Sequence, residues 1–470
     1  MNNFTKNTKS YNLPLGTLAL VATVLLPASA YADVSDQIYN LKAESDVAIN
    51  YFGNSLAMET GGVCVAAFKI GPDGSVSVSA YRYDLSTGLA LPSLSPSDGE
   101  TQNHLGATIA TDIGVVAIAA WTDNDLGTSS SPVYILDTST GNQIARLLPN
   151  DGTDDDLFGF SLAIDNGVVA VGAYLQRNIH GDSGAVYLFD VSTGNQIAKL
   201  VPSDGSSHAH FGYSLAIDNG ILVVGAHGED NDTGAVYLFD LSTSNQIAKL
   251  HPSDGASGDH FGWSVAIKND IVGVGSPGHD DSRRPDIGTV YLYDLSTNNQ
   301  NDLSTNNQFA KLHPSDGAAD DHFGWSLAIN NDIVGVGAPG HDTSDRLDTG
   351  AAYYYDLSTG NQIDQILPND HTADAHFGTA IAMDDEYTAI AASGDDYDYG
   401  PGSGSVYVFQ LADEAPACPW DLDSSGTVDT SDLLELFAQW DTADKADFDE
   451  NGSVNIIDML LLFANWGSCP

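Results

Sequence analysis

Apolar and polar residues alternate over short segments along most of the chain, and turn residues separate these segments. The pattern is clear in SLAI (161–164), VVAVGA (168–173), GAVYLFD (184–190) and QIAKL (196–200), which are β-branched or alternate in polarity. The intervening DNG, HGDSG and DVSTGNQ consist largely of turn-favouring residues. Because no helical period runs through this unit, it predicts four β-strands.

The four-strand unit recurs along the chain, and each copy begins with a variant of the motif FG-x-S-x-A. Copies begin at Phe52, Leu105, Phe158, Phe211, Phe261, Phe323 and Phe377. The interval between copies is nearly constant except from Phe261 to Phe323, where a tandem duplication, DLSTNNQNDLSTNNQF, at 294–309 accounts for the extra length. Four short strands in a repeat of about 50 residues are typical of a β-propeller blade.

The two ends of the repeat array predict a closed ring. The seventh copy has only three strand candidates, whereas QIYNL (37–41) precedes the first copy. Ile38 precedes Phe52 by the same interval by which Ile197 precedes Phe211. We therefore expect an all-β, seven-bladed propeller over residues 33–412 whose N-terminal strand completes the last blade, since an open solenoid gives no reason to split a repeat.

These repeats resemble the FG-GAP family, which includes the propellers of integrin alpha subunits and of many secreted bacterial proteins. The resemblance covers roughly residues 37–412, where the FG motif is followed by GSPG (275–278) or GAPG (337–340) and then by G-x-x-Y. It implies an extracellular propeller used for adhesion or ligand binding, and not for catalysis. In place of the family's calcium loop, D-x-D-x-D-G, this chain has DNG, KND or NND, which are too short to wrap the ion. Whether the propeller binds calcium elsewhere stays open.

The charge of the chain limits the classes of partner that it can bind. The sequence contains 64 Asp and Glu against 15 Lys and Arg, a formal net charge of −49. So few cations cannot assemble a phosphate-neutralising surface, so we expect no nucleic-acid partner. Acidic loops such as GEDNDTG (228–234) and GHDDSRRPDIG (278–288) fit either cation sites or solvated turns in which Asp caps its own backbone.

Three sets of residues are candidates for chemistry in the propeller. Five histidines precede the F/L-G pair, and their repetition in register favours blade packing over a metal ring: His104, His210, His260, His322 and His376. Loops between second and third strands hold cations and aromatics that could grip a glycan or a protein partner, although ordinary loop variation explains them equally: Arg177, Arg283, Arg284, Arg346, Trp121 and Tyr174. Cys64 occupies a position of small residues and is interpreted as a core residue, not a nucleophile.

Residues 1–32 have the pattern of a secretory signal peptide. Lys6 and Lys9 precede an apolar stretch at 13–26 and two A-x-A sites at 28–30 and 30–32. The apolar stretch is shorter than the roughly 20 residues that a membrane span needs, and no other segment could span a bilayer. We expect a secreted protein that is extracellular or associated with the cell surface.

A second tandem repeat, of period 26, occupies residues 418–470, after a linker at 413–417. Each copy has a 12-residue oxygen-rich loop with EF-hand spacing and glycine at position 6, followed by an apolar segment that predicts one helix. No helix precedes the first loop, so these are half EF-hands, and two calcium ions are expected. The predicted ligands are Asp421, Asp423, Ser425, Thr427, Asp429 and Asp432 in the first loop and Asp447, Asp449, Asn451, Ser453, Asn455 and Asp458 in the second.

This segment resembles a type I dockerin, and the resemblance covers residues 418–470. It implies two calcium ions and docking onto a cohesin module of another protein. The family's partner-contacting positions, 10 and 11 of each loop, are here Thr430, Ser431, Ile456 and Ile457. The pairs differ between copies, which argues against a symmetric dual binding mode. The alternative is a calcium-stabilised tail that meets no cohesin.

Cys418 and Cys469 bracket the C-terminal segment. In an exported chain we expect them to form a disulfide that joins its two ends, and the alternative is a pair of free thiols.

The sequence favours a non-enzymatic binding or adhesion protein whose propeller binds a glycan or protein and whose tail attaches it to a partner or surface. A polysaccharide lyase or hydrolase carried by a dockerin is one alternative, and a structural cell-surface coat component is another. Against an enzyme, the chain contains no G-x-S-x-G or H-E-x-x-H motif, and most acidic and histidine positions recur with the repeat.

Overall fold

The computed structural model divides the chain into two compact units, one spanning Ala32–Pro416 and one that contains Ala417–Pro470. In the first unit it describes residues 34–42, 48–59, 61–70, 76–97, 106–121, 132–152, 156–178, 180–296, 307–330, 332–344, 346–368, 372–395 and 404–411. In the C-terminal segment it describes residues 420, 422, 427–428, 430–440, 446, 448, 454–464 and 467–468. The expected signal peptide and the linker at 413–417 lie outside the described residues.

Seven antiparallel sheets of four strands form the first unit. The first two blades are β2 (Ala48–Glu59), β3 (Gly62–Ile70), β4 (Val76–Asp84), β5 (Leu89–Leu94) and β6 (Gly106–Asp112), β7 (Val115–Trp121), β8 (Val133–Asp137), β9 (Gln143–Leu147). The third and fourth are β10 (Leu162–Asp165), β11 (Val168–Ala173), β12 (Ala185–Asp190), β13 (Gln196–Leu200) and β14 (Leu215–Asp218), β15 (Ile221–Ala226), β16 (Ala235–Asp240), β17 (Asn245–Leu250). The fifth and sixth are β18 (Ser264–Lys268), β19 (Ile271–Ser276), β20 (Thr289–Asp294), β21 (Gln308–Leu312) and β22 (Ser326–Ile329), β23 (Ile333–Ala338), β24 (Ala351–Asp356), β25 (Gln362–Ile366).

The seventh blade joins the two ends of the repeat array. Its strands are β26 (Phe377–Met383), β27 (Tyr387–Ala392), β28 (Ser405–Leu411) and the N-terminal β1 (Val34–Leu41). Strand β1 pairs antiparallel with β28, with Asn40 opposite Tyr407 and Leu41 opposite Val406. The first strands of neighbouring blades contact one another all round the ring, including β2 with β26. The predicted seven-bladed propeller and its closure by the N-terminal strand are confirmed.

The short DNG connections are tight hairpin turns, as predicted. In the third blade Asp165 pairs with Val168, which leaves Asn166 and Gly167 as the whole turn, with φ of 49° and 79°. Two consecutive positive φ angles match the right-handed twist of the strands they connect, and Asn and Gly adopt them at low cost.

The phenylalanine of each FG motif fills the space between two blades. Phe261 is fully buried and belongs to an apolar cluster that includes Val236 and Leu238 of the fourth blade and Tyr291 of its own. The ring of Phe261 lies edge-on to that of Tyr291, with centroids 5.4 Å apart, an arrangement that aromatic pairs favour. Phe261 therefore packs the fifth blade against the fourth.

The helices of the described residues are short. Helix α1 (Glu229–Asp232) is a single turn in the fourth blade. The C-terminal segment contains α2 (Thr430–Ala438), α3 (Ile456–Ala464) and a ribbon of β29 (Thr427–Val428) with β30 (Gly467–Ser468). The core of this segment is apolar and includes the buried side chains of Val428, Leu436 and Leu462. One helix after each oxygen-rich loop agrees with the apolar pattern of the sequence.

Candidate functional site

The inner strands of all blades begin at the same end of the propeller. Because neighbouring strands run antiparallel, the start of each inner strand and the end of each second strand lie at the same end. The residue after the FG glycine and the first residue beyond the second strand therefore face this end in every blade.

Four aromatic rings follow the FG glycine in consecutive blades and form a continuous row. Phe160 and Tyr213 have ring centroids 4.9 Å apart, and Tyr213 and Trp263 lie 4.8 Å apart. Trp263 and Trp325 are also 4.8 Å apart. The three successive pairs are tilted by 41°, 49° and 49°, and all four side chains are half-buried. The rings therefore form a stepped shelf across the third to sixth blades.

Two further rings from the ends of second strands fill the gaps in this row. Tyr174 lies 4.5 Å from Phe160 and 5.4 Å from Tyr213, and His227 lies 4.3 Å from Tyr213 and 5.1 Å from Trp263. We call these six residues, Phe160, Tyr174, Tyr213, His227, Trp263 and Trp325, the aromatic patch. Aromatic side chains with few polar groups are the usual lining of ligand sites.

Histidines support the patch from the junctions between blades. His210 lies 4.8 Å from His227, and His260 lies 5.4 Å from His227 on its other side. The Nδ1 atoms of all three are buried and have no hydrogen-bond partner. In the later blades the equivalent atoms of His322 and His376 lie 3.4 and 3.3 Å from the carbonyl oxygens of Pro277 and Pro339, each in the preceding blade. The predicted packing role agrees with these contacts, but the sequence did not indicate that His210 and His260 border a patch.

Burial keeps His227 and His210 uncharged at neutral pH. Burial, together with the neighbouring His210 and His260, lowers the pKa of His227 to about 3. Burial also lowers the pKa of His210, against the opposing charge of Asp232. Burial raises the pKa of Tyr213 and of Tyr174. The patch is therefore a neutral surface on a chain of net charge −49.

The rest of the ring is not aromatic at the matching positions that the structure describes with side chains. After the FG glycine stand Asn54 in the first blade and Thr379 in the seventh, and Ser393 follows the second strand of the seventh blade. Asn54 is exposed, and Thr379 and Ser393 are half-buried. This end of the propeller is thus aromatic on one side and polar but uncharged at these positions on the other.

Two of the four predicted loop arginines form an ion pair with an aspartate of their own loop. Arg177 forms an ion pair of 2.6 Å with Asp182, and Arg284 pairs with Asp281 and donates to the carbonyl of Gly317. Tyr174 belongs to the aromatic patch, whereas the side chain of Trp121 lies outside the described residues. Sequence reasoning did not identify Tyr213, Trp263 or Trp325 as site residues. The series FGF, FGY, FGW, FGW could have indicated them, because an aromatic residue follows the FG glycine in four consecutive repeats.

Five consecutive blades each bury one acidic side chain beside the loop that precedes the FG motif, but two different positions supply it. In the fifth blade Asp259 accepts a bond of 2.9 Å from the Ala256 backbone N–H. In the fourth, where Ala209 replaces that aspartate, Glu229 reaches in from the other loop and accepts a bond of 3.1 Å from the Ser206 N–H. The buried pairs of positions, in chain order, are Asp156 with Gln176, Ala209 with Glu229, Asp259 with His279, Asp321 with His341, and Ala375 with Asp395.

A second acidic contact recurs at the outer strand. Asp254 accepts bonds of 2.8 Å from the Tyr291 hydroxyl and 2.6 Å from Lys311 Nζ, and the same Nζ lies 3.0 Å from His279 Nε2. In the sixth blade Gln365 takes the place of the lysine and donates to Asp316 over 2.9 Å. These buried and half-buried acids therefore hold loops and strands together, a role that neither the cation-site nor the solvated-turn interpretation of the acidic loops described.

Cys64 is buried, as predicted, and burial together with the charge of Glu59 raises the pKa of its thiol to about 12. A protonated, inaccessible thiol is a poor nucleophile. Among the residues that the structure describes, no group of three or more His, Cys, Asp or Glu side chains converges as metal ligands would.

Only part of the predicted calcium loops lies within the described residues. The position-12 aspartates, Asp432 and Asp458, are both fully buried. Asp432 accepts a bond of 2.6 Å from the Leu422 N–H, and Asp458 accepts one of 2.7 Å from the Asn455 N–H. Thr427 is described by its backbone alone. Asp421, Asp423, Ser425, Asp429, Asp447, Asp449, Asn451 and Ser453, like Cys418 and Cys469, lie outside the described residues.

The two helices of the C-terminal segment expose apolar side chains. Leu434 is 70% and Leu460 59% exposed, and Ile456 and Ile457 are exposed as well. Thr430 and Ser431, at the matching positions of the first helix, are also exposed. Among the described residues no helix combines the length and hydropathy that crossing a membrane requires.

Comparison with known proteins identifies the repeat. A model of the FG-GAP repeat family matches residues 142–189, 195–239, 244–293, 307–355 and 361–409, which together are slightly more than half of the chain. Each match begins at the outer strand of one blade and ends in the third strand of the next. No curated protein gives a significant match.

Proposed function

Because the chain belongs to the FG-GAP repeat family, we propose that it is a non-enzymatic binding protein that takes up a glycan or a protein ligand at the aromatic patch. The observation that carries the proposal is the way this patch breaks the symmetry of the ring. Buried acids and half-buried lysines recur from blade to blade in contacts that hold loops together, whereas, among the side chains that the structure describes at these two positions, aromatic rings occur only in the third to sixth blades. A neutral, half-exposed aromatic surface can bind, but it provides no nucleophile and no charged acid or base.

A polysaccharide lyase or hydrolase receives less support from the described residues. The strongest cluster of titratable groups is Asp259, His279 and Lys311, where His279 lies 3.0 Å from each of the other two. The sixth blade repeats this cluster with Asp321 and His341, which lie 3.4 Å apart. The contact between aspartate and histidine recurs at the same positions of two successive blades, and its histidine is buried. Such a contact is better suited to holding the loops of a blade together than to catalysis.

For the C-terminal segment we propose two calcium ions, bound by the two oxygen-rich loops. Position 12 of such a loop supplies a carboxylate ligand, and burial of Asp432 and Asp458 against the backbone of their own loops supports that role. Calcium supplies a positive charge that would draw these oxygen ligands together. A disulfide between Cys418 and Cys469 remains part of the proposal.

We further propose that the tail docks, in the manner of a dockerin, onto a cohesin-like module of another protein, after export of the chain. The exposed apolar side chains of Ile456 and Ile457 support a protein partner, because large exposed apolar groups often mark interaction sites. The signal-peptide pattern of residues 1–32 supports export to the cell surface or the medium.

Two measurements test these proposals on the chain that begins at Asp33, after the expected signal peptide. Binding of immobilised protein to polysaccharides and surface proteins should be detected, while the same polysaccharides incubated with the protein should release no fragments. Release of unsaturated or reducing ends would instead establish the enzyme alternative.

Calorimetric titration with calcium should show about two sites. Asp432→Ala and Asp458→Ala should each remove one site, and Asp254→Ala, in the propeller, should remove none. Unchanged stoichiometry in both tail variants would overturn the calcium proposal.

A further inference from the structure

We infer that the aromatic patch binds a neutral glycan, stacking sugar rings on the shelf that runs from Phe160 to Trp325. This inference rests on the proposed binding function and names the ligand class. Four lines of observation support it: the charge of the surroundings, the open geometry of the rings, their regular spacing and the polar positions opposite them.

Charge argues against an anionic ligand. The patch contains no lysine or arginine, and His227 and the adjacent His210 are neutral at pH 7 because burial lowers their pKa. The chain has a net charge of −49, and the field of such a chain repels anions. The loop arginines Arg177 and Arg284 already pair with acids of their own loops, so they do not reverse this field.

The open geometry argues against a single enclosed cation. Aromatic cages hold a cation by surrounding it with ring faces. Here the rings step along one side of the end of the propeller, with neighbouring planes tilted by 41° to 49°. Across the ring, the residues that follow the FG glycine are Asn54 and Thr379. The arrangement is a shelf with one open side.

Regular spacing suits a ligand that repeats. Successive rings from Phe160 to Trp325 lie 4.8–4.9 Å apart, because each blade contributes one. A chain of pyranose rings has apolar C–H faces that stack on aromatic faces and hydroxyls on its edge. The exposed amide of Asn54 and the half-buried hydroxyl of Ser393 lie at the same end of the propeller and carry groups that can hydrogen-bond to sugar hydroxyls.

The experiment measures binding of the full secreted chain to defined hexasaccharides by calorimetry and by tryptophan fluorescence. Neutral probes are cellohexaose, xylohexaose, mannohexaose, laminarihexaose and maltohexaose, and the charged probes are an alginate hexamer and a chitosan hexamer. We expect at least one neutral probe to bind and the alginate hexamer not to bind.

Three variants locate the site. Trp263→Ala and Trp325→Ala should each weaken binding about tenfold or more, as expected for a central aromatic contact, whereas Trp263→Phe, which keeps a ring, should weaken it less. Trp440→Ala in the tail is the matched control and should change nothing. Circular dichroism of each variant checks that the propeller stays folded.

Each remaining outcome overturns the inference. Binding of only the charged hexamers, or of no neutral hexamer, rules out the ligand class. Neutral binding that survives both tryptophan-to-alanine changes rules out the site. If the chain instead binds a purified surface protein, and Trp263→Ala weakens that complex, the proposed binding function stands while the glycan inference fails.

Discussion

The hydroxyl of Ser264 donates a hydrogen bond of 2.8 Å to the carbonyl oxygen of Gly324, across the boundary between the fifth and sixth blades. Gly275 stands opposite Ser264 in the sheet, and a Cβ added there would lie 2.1 Å from the same carbonyl oxygen. The bond recurs at three other blade boundaries as Ser161 to Gly212, Ser214 to Gly262 and Ser326 to Gly378. The two HFGWS segments of the sequence, at 260–264 and 322–326, are thus bonded directly to each other.

Loss of the contact between Ser264, Gly275 and Gly324 should destabilise the propeller. Ser264→Ala removes a part-buried hydrogen bond, which costs about 1 kcal/mol. Gly275→Ala should cost more, about 1–3 kcal/mol or above, because the methyl group overpacks the contact. In denaturant unfolding both variants should have lower midpoints than the wild type, and the midpoint of Gly275→Ala should be the lower of the two. Ser253→Ala, at an exposed turn, is the control, and an equal midpoint for Ser264→Ala and Ser253→Ala would contradict the prediction.

The fourth and fifth blades supply their buried carboxylate from different loops, through Glu229 and Asp259. Stability lost by removing Glu229 should therefore be recovered by placing an aspartate at the other position. Glu229→Ala should lower the free energy of unfolding by about 1–3 kcal/mol, because the half-buried Ser206 N–H loses its acceptor. Ala209→Asp in that background restores the acid from the position used by Asp259 and should recover part of the loss.

Ala209→Asp introduced alone, with Glu229 still present, provides the control for this rescue. In the wild-type background Ala209→Asp places a second carboxylate near Glu229 and should destabilise, because two buried like charges repel. A double-mutant cycle measures the coupling between the two sites. Purely additive effects would show that the two positions do not share one acceptor role.

Buried histidines should make the propeller less stable in acid. The pKa of His227 in the folded chain is about 3, below the value of about 6.5 expected in the unfolded chain. As the pH falls, the unfolded chain therefore binds the proton first. The stabilisation is complete above about pH 6.5 and is lost progressively down to about pH 3.

His227→Phe keeps a ring and removes the titration, so the stability of this variant should fall less than that of the wild type between pH 6.5 and pH 4. Each such histidine contributes at most a tenfold change in the unfolding constant per pH unit. Thermal melts across this range measure the difference, with His208→Phe at an exposed loop position as the comparison. Parallel pH profiles for wild type and His227→Phe would refute the prediction.

The contact at Lys311 should tolerate the residue that the next blade uses. Gln365 donates to Asp316 as Lys311 donates to Asp254, so Lys311→Gln should change the free energy of unfolding by no more than about 1 kcal/mol. Lys311→Met should cost more, because Asp254 and His279 lose a shared donor. Denaturant midpoints rank the variants, and equal losses for glutamine and methionine would contradict the proposed donor role.

Some of the candidate site could be predicted from the sequence. Tyr174, which the sequence offered equally as a ligand-gripping aromatic or as ordinary loop variation, lies in the patch. It could be singled out because a loop residue that departs from the repeat stands out when the blades are aligned. Trp263 and Trp325 could not be singled out in this way, because they lie inside the repeating motif, where residues are expected to have a structural role. Their significance depends on a ring of blades that places one residue per repeat at one end, in contact with the next.

The buried acids were beyond sequence reasoning for a related reason. Asp259 and Glu229 occupy different loops and different positions in the repeat, so an alignment of the blades treats one as regular pattern and the other as variation. Their equivalence becomes visible only when both are seen to accept a bond from the same backbone position of their blade.

The sequence by itself determined the architecture: the period, the four alternating strands of each unit and the split of the last repeat specify seven blades and their closure. Short-range turn chemistry and the side-chain period of a strand suffice for this, because each blade repeats the same local pattern. Tertiary structure alone decided which residues meet at the end of the ring and which loop supplies each buried acid. Those contacts join residues from different loops and blades, so their distances are set by the packing of one blade on the next.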